Sequence, residues 1–378
     1  MALPMESPIS FTNVGQSRWW QRGVFASQTG YVTLALVVLL IVMHFASPFF
    51  FTQGNMQNVA KNFSFIAIAA LGVTFVIITG GIDLSVGSMM CFSAMITSMV
   101  MTGLSTPGMP GASLFVHFAA DGKTVVANVP GLILVVSVLA GLGVALIVGL
   151  VNGFCIAVLG LSPFVTTLGM LSIVRGLGYV VSNGRGSFPG GPDADYFYAL
   201  TSGDVLGVPM PFIYLVILAL LMAVALHHTT FGRHVFALGG NEKAAELTGI
   251  SVVRVKIEVY VICALAAGLQ GIIICGWLGS APANMATSYE LTVIAAAVIG
   301  GANLAGGIGG PLGAIVGCVL LEVIRNGLVL AQISSYWQQT LVGVIIILAV
   351  LVDRDAVRDT GRETIRPRLS APGSGNSG

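Results

Sequence analysis

The sequence predicts an all-α protein, a polytopic bundle of about ten membrane-spanning helices. Three observations carry the prediction: charge is scarce, the apolar runs are long, and those runs show no alternation of period two. Of 378 residues, 56% are apolar and 8% are charged, against about a quarter charged in ordinary soluble domains. So little polar surface cannot cover a globule in water. A helix needs roughly 20 apolar residues to cross the hydrocarbon core, and a barrel would show apolar and polar residues in strict alternation.

In chain order, the candidate spans lie at 31–51, 62–80, 85–103, 130–151, 163–183, 211–228, 255–276, 289–304, 311–331 and 335–352. Glycines interrupt the runs at 78–90 and 300–313. The run from Tyr31 continues through FASPFFF without a small-residue cleavage site, so it reads as an anchor and not as a removed signal. The chain divides into an N-terminal segment (1–30), one transmembrane domain (31–353) and a tail (354–378). The tail ends in SAPGSGNSG, a composition typical of disorder.

Most of the sixteen basic residues fall in three places. Arg18 and Arg22 precede the first span. Arg233, Lys243, Arg254 and Lys256 sit in the loop at 229–256, and Arg354, Arg358, Arg362, Arg366 and Arg368 fill the tail. The loops at 104–129 and 184–210 carry only Lys123 and Arg185. Positive charge marks the cytoplasmic side, so both termini and the 229–256 loop are expected there.

Several functions are excluded by what is absent. A net charge of +1 without a basic tract argues against nucleic acid. The five cysteines lie scattered in apolar runs and read as small hydrophobes, not as metal ligands or disulfides. A phosphate-binding loop needs G-x-x-x-x-G-K-[ST]. The single Gly122-Lys123-Thr124 has His117 in the place of the first glycine, so this chain binds no ATP by that route. Neither H-E-x-x-H nor G-x-S-x-G occurs, which leaves metalloprotease and serine-hydrolase chemistry without support.

Charged residues in or beside the spans are Asp83, Arg175, Glu258, Glu322 and Arg325. Such residues mark pathways or pair with one another. Glu322 and Arg325 stand at i,i+3 on one helix and can pair. Glu258 follows Arg254 and Lys256 near an interface. Arg175 lies deeper, as an anchor for a carboxylate or helix-end carbonyls, or as a substrate contact. Phe164, Gln270 and Trp277 are further pathway candidates by residue type.

The 229–256 loop reads TTFGRHVFALGGNEKAAELTGISVVRVK. Asn241 suits a helix cap, Glu242 its first turn, and Gly249 its end. The enclosed EKAAEL is too short to be stable alone, so it is either a solvated loop helix or a peg for a partner protein.

An internal echo links two glycine-rich interruptions. VIITGGIDLSVG (76–87) aligns with AAVIGGANLAGG (296–307), placing Gly80 on Gly300, Gly81 on Gly301, Gly87 on Gly307 and Asp83 on Asn303. Gly306 belongs to the second interruption. Paired glycine breaks in apolar segments point to a site built from discontinuous helices; two tight turns or small-residue packing would give the same letters. Asp83 and Asn303 then either line the path or cap helix ends.

These residues resemble the inner-membrane permeases of bacterial ABC importers for monosaccharides, of the ribose, xylose and arabinose type. The resemblance runs over about 55–353. It rests on GGIDLSVG (80–87), SPFVTTLGMLSIVRGLGYVVSNG (162–184), FGRHVFALGGNEKAAELTGI (231–250), YELTVIAAAVIGGANLAGGIGGPLGA (289–314) and SSYWQQTLVGVIIILAVLVD (334–353). It implies a ten-span importer fold and a permease pair around one pathway, formed with a second copy or a paralogue. It also implies a separate cytoplasmic ATPase that uses ATP and Mg, and a periplasmic sugar-binding protein that delivers substrate. It assigns Asn241, Glu242, Lys243, Ala244, Ala245, Glu246, Leu247 and Gly249 to the helix that couples the ATPase to the bundle. The chain itself would bind no cofactor and be no enzyme. A permease for branched-chain amino acids, an ion-coupled sugar transporter and a non-transporting scaffold are the alternatives. No acid pair within the spans supports ion coupling, and a scaffold has no need of broken polar helices.

Overall fold

The computed structural model describes residues 28–334 together with 336, 337, 340, 341, 343 and 344. The span expected at 335–352, most of the N-terminal segment and the tail therefore lie largely or wholly outside the described residues. Twelve α-helices are described: α1 (Gln28–Ala46), α2 (Gln53–Ile78), α3 (Val86–Ser105), α4 (Leu132–Ala157), α5 (Pro163–Ser182), α6 (Ala194–Ser202), α7 (Met210–His228), α8 (Thr230–Gly240), α9 (Glu242–Leu247), α10 (Val252–Leu278), α11 (Tyr289–Ile299) and α12 (Pro311–Leu330). Two small antiparallel hairpins complete the fold, β1 (Val116–Phe118) with β2 (Val125–Ala127) and β3 (Asp204–Val205) with β4 (Val208–Pro209).

Eight of these helices are long and apolar enough to cross a membrane, and they coincide with eight expected spans. The span expected at 289–304 differs. Its apolar residues form only the 11-residue α11, about 16 Å long at 1.5 Å per residue. Irregular chain at 279–288 and 300–310 brackets it, so α11 is a half-helix.

Burial grades the helices from interior to periphery, with α12 and α4 between the extremes. In the most apolar stretch of each, 89% of α2 and 72% of α3 and α10 is buried, against 17% of α1 and α5 and 22% of α7. The first three make the interior and the others present Leu, Val and Ile outward, as lipid requires.

Between helices in lipid, small residues that allow close backbone approach replace the hydrophobic effect as the main means of association. On α4 they recur every fourth position: Gly141, Ala145, Gly149, Gly153. A Cβ added at Gly149 would lie 2.8 Å from the Val261 Cα, and one at Gly153 2.7 Å from the Ile257 Cα. From the other side, a Cβ at Gly268 of α10 would lie 2.7 Å from the Ala145 Cβ. α4 and α10 thus pack backbone to backbone.

The start of α4 is capped from a distant part of the chain. Asp193, 1% exposed, accepts from the N–H groups of Gly131 (3.0 Å) and Leu134 (3.3 Å). It thereby places a carboxylate where the α4 dipole is positive. In the turn between β1 and β2, Asp121 accepts from the Thr124 hydroxyl and from the N–H groups of Thr124 and Lys123. Those bonds hold its carboxyl below the usual carboxylate range.

Candidate functional site

Both glycine breaks end their helices in the same way. At the end of α2, Gly80 (φ +77) donates to the Ile77 carbonyl and Gly81 to that of Val76. At the end of α11, Gly301 (φ +107) donates to Val298 and Ala302 to Ala297. Each is a Schellman ending, in which a left-handed residue lets the chain return its N–H groups to orphan carbonyls. Glycine takes that conformation without a Cβ penalty. The left-handed residue is the first glycine of the pair in one break and the second in the other. The helix ends are therefore out of step by one residue from the alignment of Gly80 with Gly300.

An Asx turn follows in both. Asp83 Oδ1 accepts from the Ser85 N–H at 2.8 Å, and Asn303 Oδ1 accepts from the Ala305 N–H at 2.8 Å. Here the original alignment holds. Asp83 additionally takes the Ser85 hydroxyl at 2.6 Å. Asn152 of α4 donates to that hydroxyl oxygen at 3.0 Å. Thr167 of α5 and Tyr260 of α10 both donate to the Ile82 carbonyl. Asp83 is 1% exposed, whereas Asn303 is half-buried.

The breaks touch. Gly307 donates to the Ile78 carbonyl at 2.8 Å, joining the second break to the last turn of α2. Gly239, on the final turn of α8, lies against this bond: a Cβ there would collide with the Ile78 oxygen and stand 2.5 Å from the Gly307 nitrogen. Gln28 and Thr29 at the start of α1 donate to the carbonyls of Val298 and Gly300, closing the end of α11.

The 229–256 loop forms α8 and α9. Asn241 Oδ1 accepts from the Ala244 N–H at 3.0 Å, and Glu242 stands in the first turn. Gly249 (φ +86) completes a third Schellman ending, with Gly249 bonded to Glu246 and Ile250 to Ala245. Glu242 pairs with Lys256 at 2.7 Å, tying α9 to α10. Ala245 is buried; Lys243, Ala244 and Glu246 are exposed, and Leu247 is 89% exposed.

The remaining candidates are dispersed. Arg175 donates to the carbonyls of Met285 (2.6 Å) and Ala286 (3.4 Å), so it grips main chain in the irregular segment ahead of α11. Phe164 is the exposed second residue of α5. Gln270 is fully buried near the middle of α10, and its amide finds no partner among the described residues. Gly87 lies against Glu290 and the Ala286 carbonyl. Glu322 and Arg325 form a two-point ion pair at 2.7 and 2.8 Å, the pairing their spacing allows.

Trp277 packs at 5.4 Å against Phe65 and lines a cavity of about 490 Å³ between α2, α10, α11 and α12. Asn62, Tyr289, Glu322 and Arg325 line it too. A second cavity of about 320 Å³ shares Asn62, Trp277, Glu322 and Arg325 and adds Asn55 and Asn58. The sequence carried a signal for this wall: Asn55, Asn58 and Asn62 recur at i, i+3, i+7 on one helical face. It is hidden because the sequence places the span at 62–80, while α2 begins nine residues earlier.

A multi-pass helical membrane protein, with two hydrogen-bonded breaks in its helices and a capped helical hairpin seated on them, has the outline of a transport permease. The chain belongs to the family described as the permease component of branched-chain amino acid transport systems, which it matches over residues 55–350. It is 40% identical to the ribose import permease of Escherichia coli strain K12, over 85% of this chain and 92% of that one. It is 34% identical to the ribose import permease of Bacillus subtilis, covering 85% and 91%. To the L-arabinose transport system permease of E. coli K12 it is 33% identical, covering 85% and 89%. No solved structure matches it.

Proposed function

We propose that this chain is the membrane subunit of an ATP-driven importer in the bacterial inner membrane. It passes a monosaccharide inward from a periplasmic binding protein and is driven by a separate ATPase that consumes ATP with Mg. The observation that carries the reading is the α8–α9 hairpin. Its last helix is capped at both ends, tied to α10, and exposes a leucine to solvent. Leu247 stands 89% exposed beside Glu246 on a helix fixed at both ends and tied to α10, a rigid projection that suits a protein partner. Behind it, Gly239 rests on the bond that joins the two breaks, so force applied to α9 has a short route into α2 and α11. The near full-length relatedness to ribose and arabinose permeases supports a sugar as cargo. The family's description supports the second reading, a branched-chain amino acid, and competition between labelled sugars and leucine for uptake separates the two.

Under this reading two permease copies enclose one pathway, and both termini and the α8–α9 hairpin face the cytoplasm, as the distribution of Lys and Arg favours. Asp83 and Asn303 shape the breaks from within, and Arg175 steadies the segment entering α11.

The test uses Glu246→Lys and Leu247→Asp, both on exposed positions. The expected outcome is loss of ATPase co-purification and of uptake, with the permease's own melting temperature unchanged. Normal co-purification and normal uptake in both variants would overturn the coupling role.

A further inference from the structure

Asn62 is the tenth residue of α2 and Glu322 the twelfth of α12's twenty, so both lie well inside spanning helices. Polar groups at such depth are costly against lipid and face protein or a wet cavity. Here they do so together. Asn62, Trp277, Glu322 and Arg325 wall both adjoining cavities. The larger, about 490 Å³, falls within the range of small-molecule sites, roughly 300–1,000 Å³.

The wall has a particular chemistry. Glu322 is 1% exposed and held by Arg325, with the Asn62 side chain also against it, and the Arg325 side chain, 41% exposed, lines the cavity with its charge paired. The smaller cavity adds Lys61, but the described lining of the larger holds no charged side chain besides this pair, and so neutral a wall disfavours an ionic ligand and suits an uncharged one rich in hydroxyls. Guanidinium N–H groups donate to hydroxyl oxygens, and the Asn62 amide oxygen can accept from hydroxyls while its NH2 serves Glu322. The Trp277 indole is 45% exposed; backed by Phe65, it offers a flat apolar face on which the C–H face of a sugar ring can rest.

We infer that this cavity is a sugar subsite of the permease itself, with Trp277 as its platform and Asn62 and Arg325 as hydroxyl partners. The inference rests on the importer reading above and adds a place within the membrane domain where cargo is held. It makes Asn62 and Trp277 residues on which the transport rate depends.

The experiment uses the complete transporter, permease with its ATPase and binding protein, in proteoliposomes with labelled D-ribose, D-galactose and L-arabinose. A wild-type transporter that imports none of them overturns the proposed cargo, not the cavity. Where one is imported, Trp277→Ala and Asn62→Leu should each slow import by about tenfold, the loss of one hydrogen bond or stacking contact to the cargo, and Trp277→Phe should restore most of it. A second readout does not require transport. Asn62→Cys should react with a polar maleimide, and the imported sugar should slow that reaction while a non-imported stereoisomer should not. Import within twofold of wild type in both variants would overturn the subsite. So would labelling that anionic lipid slows and sugar does not, which would mark a headgroup site.

Discussion

The break at 79–85 and the break at 300–310 are built from the same two devices, a Schellman ending and an Asx turn, in different surroundings. Around Asp83 the chain is gripped by Asn152, Thr167 and Tyr260 from three helices. Around Asn303 the turn is half-buried, and the break is held by Gly307 on Ile78 and by the start of α1 on its carbonyls. One break is sealed into the bundle, the other seated on it. The same local chemistry can therefore serve a fixed corner and a joint, and the surroundings decide which.

Substitutions at three positions test that difference, from the largest expected effect to the smallest. Gly239→Ala drives a methyl into the Ile78 carbonyl and parts the two breaks. Overpacking against rigid backbone costs about 3 kcal/mol, so a large fall in melting temperature in detergent and loss of uptake are expected. An unchanged melting temperature would mean that α8 yields freely and is no joint. Asp83→Ala leaves the buried Ser85 N–H without its acceptor, at about 2 kcal/mol. Asp83→Asn keeps that acceptor and should cost clearly less while preserving uptake. If Asp83→Asn abolishes uptake in a stable protein, the carboxylate charge does work that its counterpart Asn303 cannot, and the likeness of the two breaks is only local. Asn303→Ala should cost about 0.5–1 kcal/mol, the lower part of the range for a side-chain cap, because solvent reaches this half-buried turn and can take over from the lost acceptor. A loss as large as that of Asp83→Ala would place Asn303 in a sealed site as well.

Much of this was legible in the residues. Eight spans were readable because a run near 20 apolar residues has few other uses, and α9 because Asn241 and Gly249 announce its ends. The half-helix was not legible, since the apolar run 289–304 continues past Ile299 through the glycines and only backbone conformation shows where helix stops. The one-residue slip between the breaks was hidden for a similar reason: in a Gly-Gly pair either residue can turn left-handed, and the letters do not say which. Asp83 appeared as a lone charge in the sequence, yet Ser85 and Asn152 surround it from positions 2 and 69 residues away. The Asn62–Trp277–Arg325 wall draws on three helices far apart in the chain. Only the polar stripe on α2 could have pointed to it.

The bonds from Gln28 and Thr29 to the end of α11 also have a consequence in time. Gln28 and its acceptor Val298 are 270 residues apart. At about 5–20 residues per second, the ribosome delivers that acceptor on the order of tens of seconds after α1 has emerged. Throughout that interval α1 stands in the membrane with its docking partner unmade. The second break is closed by the earliest made of the described helices, and it is the last of the two to be finished.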